Sequence, residues 1–406
     1  MVKFVLQNLS YTAITHAKNW RPQLCVVFEV NDDGDPTDKD LLRLGGQLKK
    51  GRGLTMFVGV REGDPAQEEM YSDEARLQLR DFLHSEKINA FSRIIVADNR
   101  HQAFSTTLQT LGIGALRPNT VLFSWFYEWR EDNVNTMRFV RKLKTALARK
   151  VATLVYKQAT GNVVPSKPFT SGFIDIWWVI HDGGLLLLLP YLLTLHKVWR
   201  NCTLRLFAVT MSNEDPVDIA NLTAEFLNSV RINATVEVIT LGVDTSDDMM
   251  GNMSSMRNAR MNFEAELAGN AEYMSTVTPA KKSKKLDEEK PLVQKHISED
   301  QKSNSDLLPV GAKKSENGES TAHVRIRQRS VEYTFAIDET QMRFAVSLNK
   351  QIVEKSSDAH MVVTNLPIMP TSMPTDFMSF VDTITNGLSS CLLIRGSGDE
   401  VVTKYG

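Results

Sequence analysis

The chain has 406 residues, 42% hydrophobic and 23% charged, with 47 Lys+Arg against 48 Asp+Glu and a formal net charge of −1. That length suffices for two ordinary domains, and the balance of charge excludes a global field drawing the chain to nucleic acid or to an anionic membrane. Cys25, Cys202 and Cys391 are its three cysteines and lie inside apolar runs, which excludes a disulfide framework and suits buried thiols in a reducing compartment.

The first twenty residues, MVKFVLQNLSYTAITHAKNW, have no apolar core of signal-peptide length. Short apolar runs then recur, beginning with LCVVFEV (24–30), LTMFVGV (54–60), RIIVAD (93–98), TVLFSW (120–125) and VATLVYK (151–157). FIDIWWVI (173–180), LRLFAVT (204–210), TVEVIT (235–240), MVVTNL (361–366) and CLLIRG (391–396) follow. Most are continuous rather than alternating, the pattern of strands covered on both faces. Helical patterns separate them, among them 72–85, 133–150 and 219–230. Strand alternating with helix predicts parallel βαβ units with right-handed crossovers. Ten strands divide into two groups of five, so the expected fold class is α/β, with two adjacent subdomains. Each is a mostly parallel five-stranded sheet flanked by helices.

The apolar stretch FIDIWWVIHDGGLLLLLPYLLTLHKVWRNC is too short to span a bilayer. Only thirteen uncharged residues separate Asp182 from His196, with Pro190 among them, against the roughly 20 a spanning helix needs. It is expected to be one βαβ unit, with Asp182 capping a helix over 185–195 that bends at Pro190.

Residues 244–332 differ in kind, with Phe263 and Tyr273 as their only aromatics. Such a segment buries too little apolar surface to offset its ordering entropy, so most of it is expected to be disordered. Order resumes near Phe335. Asp338 and Gln341 have capping-box spacing, and Met342, Ala345, Leu348 and Ile352 share a helical face. A second late helix, 375–388, places Phe377, Phe380, Val381, Ile384 and Leu388 on one stripe. The expected organisation is therefore a first subdomain over 18–165, a second over 166–243 plus 333–406, and a regulatory insertion over 244–332.

No motif carries enzyme chemistry. His181-Asp182 has no nucleophile at a recognisable spacing, and a strand-end His beside a capping Asp explains the pair equally well. GGQLKKGRG (45–53) has the glycine spacing of a phosphate loop, but Arg52 and Gly53 replace the Lys and Ser/Thr that would meet phosphate and magnesium. LGIGALR (111–117) lacks the third glycine of a dinucleotide fingerprint and precedes a strand. The eight histidines form no HExxH or HxH, so no metal site is expected. The loop after the first strand, EVNDDGDPTDKD, is strongly acidic and would repel a triphosphate.

KNWRPQLCVVF, QLKKGRGLT, FIDIWWVIHDGGLLLLLPYLLTLHKVWRNC and LLIRGSGDEVVTKYG together resemble the cytosolic C-terminal domain of the cation–chloride cotransporters. VIHDGG and LHKVWR resemble the potassium–chloride branch. The resemblance runs from about Lys18 to Gly406, excluding the insertion. It implies two linked universal-stress-protein-like α/β units on the cytoplasmic face of the plasma membrane, with dimerisation and regulation of transport as their role. It implies as partners a transmembrane domain upstream, a second protomer, and regulatory kinases and phosphatases, but no nucleic acid. Some relatives bind adenine nucleotide through lysines near the end of the first strand. Glu29 and Thr37 stand there in this chain, so no cofactor is expected; the alternative reading is an ATP sensor of the universal stress type. Relatives carry a regulatory threonine in MHTAVKLN, where this chain reads MRFAVSLN with Phe344 in its place. Candidate phosphorylation sites are instead Ser330, after RIRQR, and Thr278, before Pro279.

Overall fold

The computed structural model describes residues 21–48, 54–112, 116–179, 184–211, 215–241, 339–367 and 373–397. The first half contains β1 (Leu24–Glu29), α1 (Lys39–Leu48), β2 (Thr55–Glu62), α2 (Glu69–Ser85), β3 (Phe91–Ala97), α3 (Arg100–Thr110), β4 (Thr120–Ser124), α4 (Asn133–Ala148) and β5 (Ala152–Gln158). The second contains β6 (Gly172–Trp178), α5 (Leu185–Thr194), β7 (Cys202–Met211), α6 (Pro216–Val230), β8 (Ala234–Leu241), α7 (Glu339–Lys355), β9 (Ala359–Asn365), α8 (Pro374–Ile384) and β10 (Ser390–Arg395). Each apolar run in the sequence is one of these ten strands.

The strands lie in the order β3-β2-β1-β4-β5-β10-β9-β6-β7-β8. Each half is therefore a parallel five-stranded unit, as the alternation of elements predicts, and the halves repeat one order: 3-2-1-4-5 and 8-7-6-9-10. No strand of one half is interleaved with the other. The sequence pattern does not show how the units meet. β5 and β10 pair antiparallel over six residues, from Gln158↔Ser390 to Thr153↔Arg395, so the two sheets are joined at this seam into one. Because strand direction reverses there, the carboxyl ends of the second half lie on the same rim as the amino ends of the first.

Helices cover both faces. Leu41, Leu44, Leu79 and Leu83 of the first half share one core with Leu186, Leu193, Phe226 and Leu227 of the second. α1, α2, α5 and α6 thus pack on one side. On the other, Phe104, Phe139, Leu143, Phe377 and Val381 form a core from α3, α4 and α8. Ala345, Leu348 and Ile352 of α7 complete that side against Trp177 and Phe207, with Met342 partly buried beside them. The stripe predicted for this helix is its core face. Burying such side chains contributes about 1.5–3 kcal/mol each. Phe344 is also buried in this cluster. In α8, Phe377, Phe380, Val381 and Ile384 are buried as the stripe predicts, and Leu388 packs partly buried just beyond the helix.

Gly45 and Gly46, two glycines of the apparent phosphate loop, have a packing role. Both lie inside α1, where a Cβ on Gly45 would stand 2.6 Å from Val26 Cγ2 and one on Gly46 2.7 Å from Ile88 Cδ1. Gly45 lets the helix approach the sheet, and Gly46 lets it approach the connection before β3. Pro190 lies inside α5. Asp182, Asp338 and residues 244–332, named above as caps and insertion, fall outside the described residues.

Candidate functional site

In an open α/β sheet a ligand crevice forms beyond the strand carboxyl ends where neighbouring connections diverge. In the first half that place lies between β1 and β4, which pair directly. Asp38 fills it. One carboxylate oxygen accepts the Leu41 N–H at 2.8 Å, capping α1, and the other accepts the Ser124 hydroxyl at the end of β4. Thr37 turns back onto β1, its N–H and hydroxyl donating to the Glu29 carbonyl at 2.9 and 3.0 Å.

The cations of this rim are already engaged. Arg100 donates from Nη1 to Glu29 at 2.9 Å, with its Nε 3.4 Å from Glu62. Lys142 Nζ stands 4.0 Å from Glu29, and burial pulls its ammonium below the usual lysine range while Glu29 pushes it back up. Arg61 binds Glu68 at 2.6 Å and Asp32 at 2.8 Å, and its guanidinium lies 4.1 Å from the Tyr71 ring centroid. The Glu68 hydrogen bond leads the causes that hold Arg61 above its ordinary range. A phosphate entering here meets carboxylates and would have to displace them from each of these three cations. Glu29 and Thr37, the residues at the nucleotide-lysine positions, are thus built into the loop's own bonding.

The polar centre of the second half has a different position and was not legible as a site. Asp175 and Arg205 are register partners on β6 and β7. Arg205 donates from Nε and Nη2 to the two oxygens of Asp175, each at 2.7 Å, and from Nη2 to Asp358 at 2.6 Å. Asp175 is fully buried; burial pushes its carboxyl up and the Arg205 hydrogen bonds pull it back. The guanidinium stacks 4.0 Å from the Phe173 ring centroid. The signal was present as one charge of opposite sign in each of two neighbouring apolar runs. Asp175 is satisfied by Arg205 and Ser356, and Arg205 by Asp175 and Asp358, which is the bonding of a structural cluster.

At the seam, Lys157 of β5 reaches α8, donating to Asp382 at 2.6 Å and to Thr385 Oγ1 at 2.7 Å; Arg130 reaches the same carboxylate at 2.5 Å. Trp199 Nε1 donates to Gln47 Oε1 at 2.7 Å, and Gln47 Nε2 to the Pro165 carbonyl at 2.8 Å, tying α1 to the second half. A cavity of about 160 Å³ opens at the seam among Tyr156, Gln158, Phe169, Trp199, His360 and Ser390.

His181, Asp182, Thr278 and Ser330 lie outside the described residues, so no geometry attaches to them. Among the described residues no group of three His, Cys, Asp or Glu could hold a metal ion. The three thiols are free and buried; burial pushes Cys25 and Cys391 up to about 12 and Cys202 to about 11, leaving them protonated and unreactive near neutral pH. No described helix is long and apolar enough to cross a membrane.

Comparison with known proteins supplies what the geometry does not. The family model described as solute carrier family 12 matches residues 39–164 and 166–406. Two solved structures are similar to this chain at low scores. The cytoplasmic domain of a prokaryotic cation chloride cotransporter is 11% identical, with a TM-score of 0.47 over 94% of this chain and 98% of that one. A functionally unknown protein from Pseudomonas aeruginosa PAO1 is 10% identical, with a TM-score of 0.38 over 92% of this chain and 93% of that one. The assignment rests on the family match, which agrees with the cation–chloride cotransporter resemblance carried by the motifs. The chain belongs to solute carrier family 12.

Proposed function

We propose that this chain is the cytosolic regulatory and dimerisation domain of an electroneutral potassium–chloride symporter, and that it acts by contact rather than by catalysis. One observation carries the proposal. The family match runs through both halves of the sheet, while no described helix is long and apolar enough to cross a membrane. The pathway would belong to a membrane domain upstream, with this chain on the cytoplasmic face of the plasma membrane. VIHDGG and LHKVWR favour the potassium–chloride branch. In cells expressing the complete carrier, chloride-dependent rubidium uptake should persist when sodium is replaced; a sodium requirement would reject that branch.

Two copies of the chain would form the dimer, and light scattering of the purified protein should give about twice its 45.7 kDa mass. Ser330 and Thr278 are the proposed inputs for kinases and phosphatases. Mass spectrometry of the carrier from resting and swollen cells should show their occupancy changing; constant occupancy at both would remove them. No adenine nucleotide is part of this proposal, because Glu29, Asp38 and the engaged Arg61 and Arg100 leave the first crevice unsuited to phosphate. Calorimetry with ATP tests that point, and micromolar binding would favour a nucleotide-sensing domain instead.

A further inference from the structure

Charge is nearly balanced over the whole chain but not within it. Between 133 and 150 lie Arg138, Arg141, Lys142, Lys144, Arg149 and Lys150, with no acidic residue. This is α4 and its carboxyl-terminal turn. α2 shows the ordinary arrangement for contrast: its Arg76 and Arg80 are paired with Asp73 and Asp81 on the same helix. In α4, Lys142 leans inward toward Glu29, whereas Arg141, Lys144, Arg149 and Lys150 are exposed. Among the described residues these four make no ion pair.

The exposed surface of α4 is ordered along its length. Val134, Met137, Arg141 and Lys144 recur at spacings of three, four and three, which places them on one side of the helix. Val134 is 61% exposed and Met137 53%, so the outward face has two apolar side chains at its start and cations beyond them. Cations at the carboxyl end of a helix often only complement its dipole, which accounts for Arg149 at the cap and Lys150 just past it. Arg141 and Lys144 sit mid-helix, where that explanation does not reach. α3, packed beside α4, adds no negative charge: it turns Gln102, Thr106, Gln109 and Thr110 outward. His101 on that helix lies 3.4 Å from Thr145. Burial first, then Arg141 and Lys142, hold its imidazole below the usual range.

We infer that the outward face of α4 docks on the anionic phospholipid headgroups of a membrane surface. A helix face of unpaired Arg and Lys beside exposed apolar side chains matches that surface in both charge and depth. Membership of a membrane-carrier family supplies a bilayer nearby. The inference goes beyond the function proposed above, because lipid binding does not depend on which ions the carrier moves or on whether the chain dimerises. A local patch is sufficient here, since the field of four cations is felt within a Debye length of the headgroups regardless of net charge.

The test is co-sedimentation of the full 406-residue chain with vesicles of phosphatidylcholine alone and of phosphatidylcholine with phosphatidylserine. Binding is expected only to the anionic vesicles and should weaken as salt rises. Replacing Arg141, Lys144, Arg149 and Lys150 together by Glu should lower it at least about tenfold. The four are exposed, so the variant should keep the parent's circular dichroism, with a melting temperature only slightly lowered by the two glutamates at the carboxyl end of α4. A second variant replaces Lys281, Lys282, Lys284 and Lys285 by Glu, removing another dense run of cations, and should bind as the parent does. Equal binding to neutral vesicles, an α4 variant that binds like the parent, or loss confined to the second variant would each overturn the inference. So would equal affinity for a single-stranded oligonucleotide, which would show a generic polyanion site.

Discussion

The two halves of the sheet repeat one strand order and place their charge differently. In the first, the ion pairs of Arg61 and Arg100 lie at the rim, and Asp32, opposite Arg61, has a side chain 98% exposed. In the second, Asp175 has no exposed surface and meets Arg205 within the strand register. A rim pair can exchange its partner for water at little cost, whereas a buried carboxylate that loses its guanidinium has nothing to replace it. Repetition of the fold therefore does not repeat the energetics: the first half holds these ion pairs at a rim that partners could reach, and the second adds one within its strands on which its own structure depends.

The sharpest way to break this comparison is Arg205→Met. It strips Asp175 of a bidentate partner and should cost about 3–5 kcal/mol in urea or guanidinium unfolding; a loss under about 1 kcal/mol would mean that the centre is hydrated. Next comes the seam. Lys157→Met removes the donor to Asp382 and Thr385, leaving Arg130 on the same carboxylate. A cost of about 1–2 kcal/mol is expected, since a hydrogen bond to a charged group contributes about 1.5–3 and a partner remains.

A smaller effect concerns pH. Arg205 hydrogen-bonds Asp358 and holds its carboxyl below the usual 3.8, and the Asn135 N–H does the same for Asp132 at the start of α4. Their folded pKa values lie below the unfolded ones, so the stabilisation is complete above the unfolded value and is lost as pH falls through the folded one. The urea midpoint should drop on acidification from pH 5 toward pH 3, and the drop should be shallower in Asp358→Asn; an unchanged slope would contradict the assignment. The smallest effect is expected at the rim, where Asp32→Asn should change stability by no more than about 0.5 kcal/mol.

Much of the fold was legible because apolar runs and helical stripes are local. β1, β4 and β10 are covered on both faces, and their runs are continuous for that reason. The terminal strand β8 alternates in burial instead. The seam was not legible: CLLIR in β10 reads like any interior strand, and nothing in a run of apolar residues encodes whether its neighbour is parallel. The engagement of Glu29 was visible only as unsuitable charge, because its partners, Arg100 and Lys142, come from distant helices. Asp175 and Arg205 were missed for a related reason. Two isolated charges in separate strands become a pair only once the register is known.

Strand reversal at β5–β10 also decides where the long polar stretch is anchored. The chain leaves β8 at Leu241 and re-enters at the start of α7, Glu339, and both points open on the rim that carries the last turn of α4. The acidic loops after β1 and β2 face the opposite way. Leu241 and Glu339 on the one hand and the carboxylates of the first crevice on the other therefore lie at opposite ends of the strands.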